Sequence, residues 1–241
     1  MAANRDERLD RPAVAATVLQ AGDPRILGGR DGEAGGTWLA VNEHGLVAGL
    51  TNRPALEGRD PSKRSRGELP LALAGHRRAE EAVEEFVHRF RPSDYNPSWL
   101  LVGDRRSLFY LDMTEGEEPH VRELPPGLHV LENNPIEAGS PKQRHVLGLL
   151  RGFTPSEPTN SPLGTLDLVL ADHSVPEVHG KLPDGVSESV LAACVHTDRY
   201  GTRSAAIVQV PDDDTAKPRL AVADGHPCTA QFEDRSGLWR D

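Results

Sequence analysis

Apolar residues fall into short runs bounded by glycine, proline and charged residues along most of the chain. Runs of this length are typical of strands. Residues 14–19 therefore predict a strand, and the glycine-rich stretch at residues 22–36 predicts a turn region. Residues 37–41 and 46–52 predict the clearest hairpin, because a short segment closing on Gly45 joins them. Both arms are almost wholly apolar, which predicts a strand pair covered on both faces.

The spacing of apolar residues changes to the helical period in the middle of the chain. Ser65 and Glu68 have the spacing of a capping box, which predicts a helix through residues 69–74. A second helix is predicted at residues 77–91, because its apolar positions recur on one face and a proline follows. Two shorter helices are predicted later, at residues 142–151 and 165–171.

The remaining segments predict strands and loops. Residues 98–103 and 107–112 predict a second hairpin, and residues 119–126 a loop. Further strands are predicted at residues 128–131, 189–196, 202–210, 219–223 and 229–233. Strands first, helices in the middle and strands last predict an α+β fold rather than an alternating βαβ series. We expect the sheets to bring the beginning and the end of the chain together.

Composition and charge narrow the classes of function. With 241 residues the chain can bury a sizeable core, and we expect one domain over residues 1–241. The net charge is −10 and there is no stripe of lysine and arginine, so we expect no nucleic-acid partner. No apolar run reaches the roughly 18 residues of a membrane span, and no signal-peptide core opens the sequence. We therefore expect a cytoplasmic protein without a membrane span.

The spacing of cysteine and histidine predicts no metal site. Cys194 and Cys228 have no CxxC neighbour, which excludes a zinc ribbon. His173, His179 and His196 come nearest to a cluster but lack a recognised metal-ligand spacing. We expect both cysteines to be structural residues of strands, and no cofactor.

Polar side chains at the ends of predicted strands are the candidates for chemistry. They are Arg5, Asp6, Asn52, Asn133 and Arg203. An acyl-transfer site needs a nucleophile, a group that orients it and donors for the developing oxyanion. Asparagine supplies neutral donors, aspartate can orient an amine or thiol, and arginine binds carboxylates. Each residue alone is more typical of a turn or surface position than of a functional site.

Five short motifs follow one another along the chain. They are Ala3-Asn4-Arg5-Asp6-Glu7 with Arg11-Pro12, Gly35-Gly36-Thr37-Trp38-Leu39, Leu50-Thr51-Asn52, Arg64-Ser65-Arg66-Gly67-Glu68-Leu69 and Tyr200-Gly201-Thr202-Arg203. In content and order they resemble the motifs of the NRDE family, also called the transport and Golgi organisation protein 2 family. The resemblance spans nearly the whole chain. It implies the four-layer αββα sandwich of the N-terminal-nucleophile (Ntn) hydrolases.

Residues 45–52 and 131–135 are also similar, more distantly, to segments of bile-salt hydrolases and penicillin V acylases. By that similarity Arg5 and Asp6 would flank the nucleophile. Asn52 and Asn133 would line the oxyanion region, and Arg203 would complete the polar site.

The beginning of the sequence departs from the family pattern. Family members usually begin with Met-Cys and a strand before the Asn-Arg-Asp-Glu motif, whereas only Met1-Ala2-Ala3 stands there in this sequence. We therefore expect a sandwich that lacks its first strand and has no N-terminal thiol. Catalysis of the Ntn type would need a cysteine upstream of Met1.

Three functions are consistent with these patterns. The resemblance favours a non-catalytic protein that binds a small molecule with a carboxylate or amide group, because the family is linked to intracellular haem trafficking and to lipid or acyl-CoA metabolism. Arg5 and Arg203 would bind the carboxylate, and haem would be a carried ligand rather than a cofactor. His226-Pro227-Cys228 reads as a turn before a strand, not as a haem signature. The alternatives are an Ntn amidohydrolase acting on linear amides, with its cysteine upstream of Met1, and a plain interaction or structural domain.

Overall fold

The computed structural model describes residues 1–54, 58–154, 164–177 and 187–240, which form two antiparallel sheets with helices outside them. The larger sheet is a meander in chain order, built from β2 (Ala13–Gln20), β3 (Ile26–Asp31), β4 (Leu39–Asn42), β5 (Val47–Asn52), β6 (Ser98–Gly103), β7 (Leu108–Asp112) and β8 (His120–Glu123). The smaller sheet has the order β1 (Ala2–Arg8), β9 (Tyr200–Gln209), β10 (Arg219–Asp224) and β11 (Phe232–Asp234). Because β1 pairs with β9, both ends of the described chain meet in one sheet, as predicted.

Helices α1 (Glu68–Leu73) and α2 (Ala79–Arg89) cover one face of the larger sheet. Leu73 of α1 and Phe86 of α2 belong to the same buried cluster as Leu100 of β6. The buried face of α2 follows the helical period that its sequence shows. This cluster is the core between the first helical layer and the larger sheet.

The two sheets pack face to face through a second apolar cluster. Leu27 and Val41 of the larger sheet share it with Val208 and Leu220 of the smaller sheet. The larger sheet is thus covered by helices on one face and by the smaller sheet on the other, which explains why the strands of the first predicted hairpin are almost continuously apolar. The two sheets are therefore the inner layers of the molecule.

The outer face of the smaller sheet is covered by helix α4 (Gly164–Leu170). Leu170 is clustered there with Ile207 of β9 and Ala223 of β10. Helix α3 (Pro141–Leu149) precedes it and begins at Ser140 with a complete capping box. The order of layers is helix, sheet, sheet, helix, so the predicted αββα sandwich is confirmed.

The prediction of a turn region at residues 22–36 is wrong, because β3 lies within it. Gly28 and Gly29 are strand residues that allow close packing rather than a turn. A Cβ atom on Gly28 would lie 2.2 Å from the carbonyl oxygen of Leu39, and one on Gly29 would lie 2.1 Å from the Trp38 ring. Glycine is required where backbone and ring approach so closely.

Four other local predictions are also wrong. The capping box at Ser65 does not form: α1 begins after Gly67, and Glu68 instead accepts a hydrogen bond from the hydroxyl of Tyr95 at 2.6 Å. The predicted loop at residues 119–126 contains β8, which extends the meander by pairing with β7. Residues 128–131 form no strand, and residues 189–196 form a short 3-10 helix followed by irregular backbone.

The other predicted hairpins, helices and late strands are confirmed within a few residues at each end. His226-Pro227-Cys228 lies in the turn before β11, as expected. None of the helices in the described ranges has the length and apolar character that crossing a bilayer requires.

Candidate functional site

Strand β1 carries the Asn-Arg-Asp-Glu motif along the edge of the smaller sheet. Its pairing with β9 is irregular between Arg5 and Asp6, which lie opposite Ser204 and Thr202. An irregularity of this kind redirects neighbouring side chains. Arg5 and Asp6 consequently bind different parts of the fold.

Arg5 is directed into the molecule, with 6% of its surface exposed. Its Nη2 donates to the Asp31 carboxylate at 3.2 Å, and its guanidinium lies 4.5 Å from the centre of the Trp38 ring. Burial is the main influence on Arg5 and lowers its pKa, although the charges of Glu7 and Asp31 oppose this shift. Its other terminal nitrogen, Nη1, is buried and has no hydrogen-bond partner in the described part of the chain.

Asp31 at the end of β3 connects two arginines. Besides Arg5, it accepts hydrogen bonds from Arg11 Nε at 2.6 Å and Arg11 Nη2 at 3.0 Å, and from the backbone N–H of Ala34 at 2.8 Å. Burial alone would raise the pKa of Asp31, but the hydrogen bonds and the charge of Arg11 lower it to about 2. The carboxylate is therefore held ionised between two guanidinium groups.

Arg5, Asp31 and Arg11 are called the arginine cluster below. The glycines of two other motifs bring their segments against it. A Cβ atom on Gly36 would lie 2.6 Å from the carbonyl carbon of Gly67, and the N–H of Thr37 donates to the Gly67 oxygen at 2.8 Å. Arg66, next to this contact, donates to the carbonyl of Pro97 at 3.0 Å. Burial lowers the pKa of Arg66 to about 10, and neighbouring arginine charges add to the shift.

The side chain of Asp6 contacts the last of the five motifs rather than the arginine cluster. It accepts a hydrogen bond from the Thr202 hydroxyl at 2.5 Å, and the same oxygen of Thr202 accepts from the N–H of Val195 at 2.9 Å. The Nζ atom of Lys142 lies 3.8 Å from the other carboxylate oxygen of Asp6. Burial raises the pKa of Asp6, and Lys142 and Thr202 only partly counteract this.

Arg203 holds the turn that follows β1. Its Nη1 donates to the carbonyl oxygens of Arg8 at 3.0 Å and Arg11 at 2.7 Å. The structure thus places Arg203 beside the cluster with its guanidinium already engaged by backbone.

Asn52 and Asn133 form a separate pair at the surface. The amide of Asn133 donates to the backbone oxygen of Asn52 at 2.6 Å, and both residues are exposed. In the described part of the chain, no hydrogen bond or ion pair joins either residue to Arg5, Asp6 or Arg203. Their assignment to an oxyanion region stays a prediction.

Of the five predicted site residues, the structure brings together Arg5 and Arg203, whose charges interact. Asp6 is next to Arg5 in β1, but its side chain is bound by Thr202 and Lys142 instead. Sequence reasoning missed the roles of Asp31, Trp38, Arg66 and Thr202. Three of these belong to the quoted motifs, and the order of the motifs was the available signal. Asp31 belongs to none of them, and only the fold places it between Arg5 and Arg11.

The cysteines lie outside the strands, contrary to prediction. Cys194 is buried and Cys228 is partly exposed, and the thiols of both lie near the Nε2 atom of His196. Burial, and then the proximity of Cys228, raise the pKa of Cys194 to about 12, so its thiol is neutral at physiological pH. This environment does not activate Cys194 as a nucleophile.

Comparison with known proteins is consistent with the motifs. The model of the family described as Transport and Golgi organisation 2 matches residues 1–217. The Transport and Golgi organization 2 homolog of Mus musculus is 44% identical over 269 residues, and the Homo sapiens homolog is 28% identical over 271 residues. Each alignment covers 100% of this chain and 87% of the relative.

Two solved structures resemble the chain weakly. An N-acylethanolamine-hydrolyzing acid amidase ortholog from Caenorhabditis elegans has a TM-score of 0.47 and 11% identity, covering 92% of this chain and 87% of that one. The C2A mutant of conjugated bile acid hydrolase from Clostridium perfringens has a TM-score of 0.45 and 11% identity, covering 97% and 91%. The family of this chain is shown by the match over residues 1–217 and by the 44% identity with the mouse relative. The chain belongs to the Transport and Golgi organisation 2 family.

Proposed function

We propose that this protein is a non-catalytic binder of a small molecule that carries a carboxylate, with Arg5 as the anion-binding group. The observation that carries the proposal is the buried Nη1 of Arg5, for which the described residues supply no hydrogen-bond partner. A buried donor on a charged group is costly to leave unpaired, and a carboxylate is the partner that a guanidinium fork fits best.

The electrostatics of the cluster support an anionic ligand. In addition to burial, the positive charge of Arg203 lowers the pKa of Arg5, and that of Arg11 lowers the pKa of Arg66. Within the described residues, Arg66 and Arg203 have no carboxylate at ion-pair distance. Arg5 pairs with Asp31, and Arg11 pairs with Asp31, Glu7 and Glu33. Four guanidinium groups therefore face three paired carboxylates, and a bound anion would reduce this imbalance.

Two ligand classes follow from the family resemblance. Haem presents propionate carboxylates, as the proposal requires. Acyl-CoA has no free carboxylate, but it presents anionic phosphates beside an apolar chain, and a guanidinium fork binds phosphate in the same bidentate way. Both are candidates for a protein of intracellular haem or lipid homeostasis, and we include a cytoplasmic location in the proposal, which cell fractionation would test.

Titration of the purified protein separates these ligands. Haem binding would be followed by absorbance and acyl-CoA binding by calorimetry, with wild type, Arg5→Lys and Arg30→Lys. Lysine at position 5 keeps a cation for Asp31 but removes the Nη1 donor, so we expect affinity to fall at least about tenfold. Arg30 donates only to backbone carbonyls of β2 and is the matched control, expected to bind like wild type.

Two outcomes would contradict the proposal. One is the absence of saturable binding for both ligands. The other is equal affinity of wild type and Arg5→Lys, with melting temperatures showing that both are folded.

A second candidate function, an Ntn amidohydrolase, is favoured by one observation. In the described residues β1 pairs on one side with β9 and has no strand on its other edge. A strand carrying a cysteine upstream of Met1 would find unpaired backbone groups there. Intact mass and N-terminal sequencing of the protein from its native source would decide. A chain that begins with such a strand supports the hydrolase, and a chain that begins at Met1 or Ala2 removes it.

A further inference from the structure

A cluster of two thiols and two imidazoles lies apart from the arginine cluster. Its members are His173, which follows α4, Cys194 and His196 before β9, and Cys228 in the turn between β10 and β11. One potential ligand atom from each of the four lies within 4.8 Å of the others. Three segments that are distant in sequence thus converge on one point.

We propose that these four residues form a tetrahedral zinc site. Zinc–sulfur bonds of about 2.3 Å and zinc–nitrogen bonds of about 2.0–2.1 Å place neighbouring sulfur and nitrogen ligands about 3.5 Å apart in a tetrahedron. Nε2 of His196 lies 3.6 Å from Cys194 Sγ and 3.5 Å from Cys228 Sγ. Both distances match the edge of such a tetrahedron.

Hydrogen bonding within the cluster also favours a metal. Two thiols face the single Nε2 atom of His196, and a neutral imidazole nitrogen can accept only one of the two protons. A cation at the centre would satisfy both sulfurs and the nitrogen together. Each thiol loses its proton to solvent as a sulfur–zinc bond forms, so binding one Zn²⁺ releases two protons.

His173 has the outer contact that is typical of zinc ligands. Its Nδ1 lies 3.0 Å from the carbonyl oxygen of Cys194. A proton on Nδ1 donates to that oxygen and leaves the lone pair of Nε2 free for the metal.

The combination of ligands selects the metal. Two sulfur and two nitrogen donors in a tetrahedral arrangement favour zinc over magnesium or calcium, which prefer oxygen. A second group, Asp23, Glu43 and His44, also has its potential ligand atoms close together, but it contains no thiol. It provides an internal control for binding by carboxylate and a single imidazole.

The zinc site would have a structural role, because its loop contacts β1 directly. Between the two ligands Cys194 and His196, the N–H of Val195 donates to Thr202, whose hydroxyl donates to Asp6. The side-chain amide of Asn4 donates to the carbonyl of Ala193 at 2.7 Å. Zinc would therefore fix the segment against which the Asn-Arg-Asp-Glu strand is held.

Cobalt substitution tests the site without any assay of activity. Untagged protein would be reduced, freed of metal with a chelator and titrated with Co²⁺, followed by Zn²⁺ in competition. We expect one equivalent of Co²⁺ to give thiolate-to-cobalt charge transfer and the visible absorption of a tetrahedral site, and Zn²⁺ to abolish both. Metal analysis of the protein purified without chelator should find one zinc per chain.

Variants assign the ligands. Cys228→Ser and His173→Ala change residues that are not buried, and each should weaken Co²⁺ binding by at least about 100-fold, since even changes in the outer shell cost about 10–100-fold. His44→Ala should leave both the spectrum and the affinity unchanged. Circular dichroism would show that each variant is folded.

Four results would overturn the proposal. Three are the absence of charge transfer in the fully reduced protein, a spectrum in Cys228→Ser equal to that of wild type, and loss of binding in His44→Ala alone. The fourth is a disulfide between Cys194 and Cys228 that reforms after reduction and blocks binding.

Discussion

Replacement of Asp31 by asparagine tests the arrangement of the arginine cluster. The Asp31→Asn variant keeps an oxygen for the N–H of Ala34 but removes the charge that Arg5 and Arg11 share. Arg5 is 6% exposed and Asp31 is 14% exposed, so the variant leaves a cation nearly buried without its anionic partner. Removing one partner of a buried ion pair costs about 3–5 kcal/mol, and partial exposure of the cluster reduces this to about 2–3 kcal/mol.

The pH dependence of this loss has a defined sign. The pKa of Asp31 is lowered in the folded state to about 2, from its ordinary value of 3.8. A carboxyl group with a lowered folded-state pKa stabilises the protein above its ordinary pKa and loses this effect as the pH falls through the folded-state value. The pKa difference corresponds to about 1–2 kcal/mol once solvent screening is allowed for. This part of the difference between wild type and Asp31→Asn should shrink between about pH 4 and pH 2.

Urea unfolding at a series of pH values measures both the loss of stability in Asp31→Asn and the dependence of this loss on pH. Asp23→Asn is the control, because Asp23 pairs with His44 and Arg77 at the exposed surface and its loss should leave stability unchanged. The reasoning would be refuted if Asp31→Asn unfolded at the same urea concentration as wild type at pH 7. It would also be refuted if the difference between the two proteins stayed constant down to the lowest pH at which they fold.

Substitutions at four further positions test other contacts of the fold. Gly36→Ala should lower the free energy of unfolding by about 1–3 kcal/mol, because its Cβ would collide with the backbone of Gly67. Gly148→Ala, in open space on α3, should raise it by about 0.5 kcal/mol, and equal effects of the two changes would contradict this account. Thr202→Val should cost about 1–3 kcal/mol in urea unfolding, since it leaves a carboxylate and a backbone N–H unpaired, and Thr202→Ser should restore most of the loss. Arg105→Ala should speed limited proteolysis between β9 and β10, because Arg105 donates to three backbone carbonyls there, and an unchanged cleavage rate would count against it.

Much of the fold follows from local pattern. The hairpins at β4–β5 and β6–β7 could be predicted because short apolar runs meet at turn residues, and helix α2 because its apolar positions follow the helical period. The prediction failed at β3, whose glycines read as turn residues. There the reason for glycine is a neighbouring strand and the Trp38 ring, contacts that no local window of sequence contains.

The candidate sites depend still more on distant contacts. Arg5 and Asp6 could be singled out as a charged pair, but their partners Asp31 and Thr202 lie 26 and 196 residues away. The thiol and imidazole cluster had no recognisable spacing, because its members come from three segments and meet only after β9 and β10 pair. His179, the third histidine considered as a ligand from the sequence, lies outside the described residues.

Individual atoms of the Asn-Arg-Asp-Glu motif differ in whether they hold the fold together or are left without a partner. Asn4 gives both protons of its amide nitrogen to carbonyls outside β1, Arg5 gives Nη2 to Asp31, and Asp6 accepts from Thr202. These contacts attach one strand to three surrounding segments, so a substitution that removes a whole side chain would mainly report lost stability. The atoms left over are Nη1 of Arg5 and Oδ1 of Asn4, both buried without a hydrogen-bond partner among the residues that the structure describes. Because only such atoms are available to a ligand, substitutions that keep the structural contact and remove the spare atom, as Arg5→Lys does, separate binding from folding.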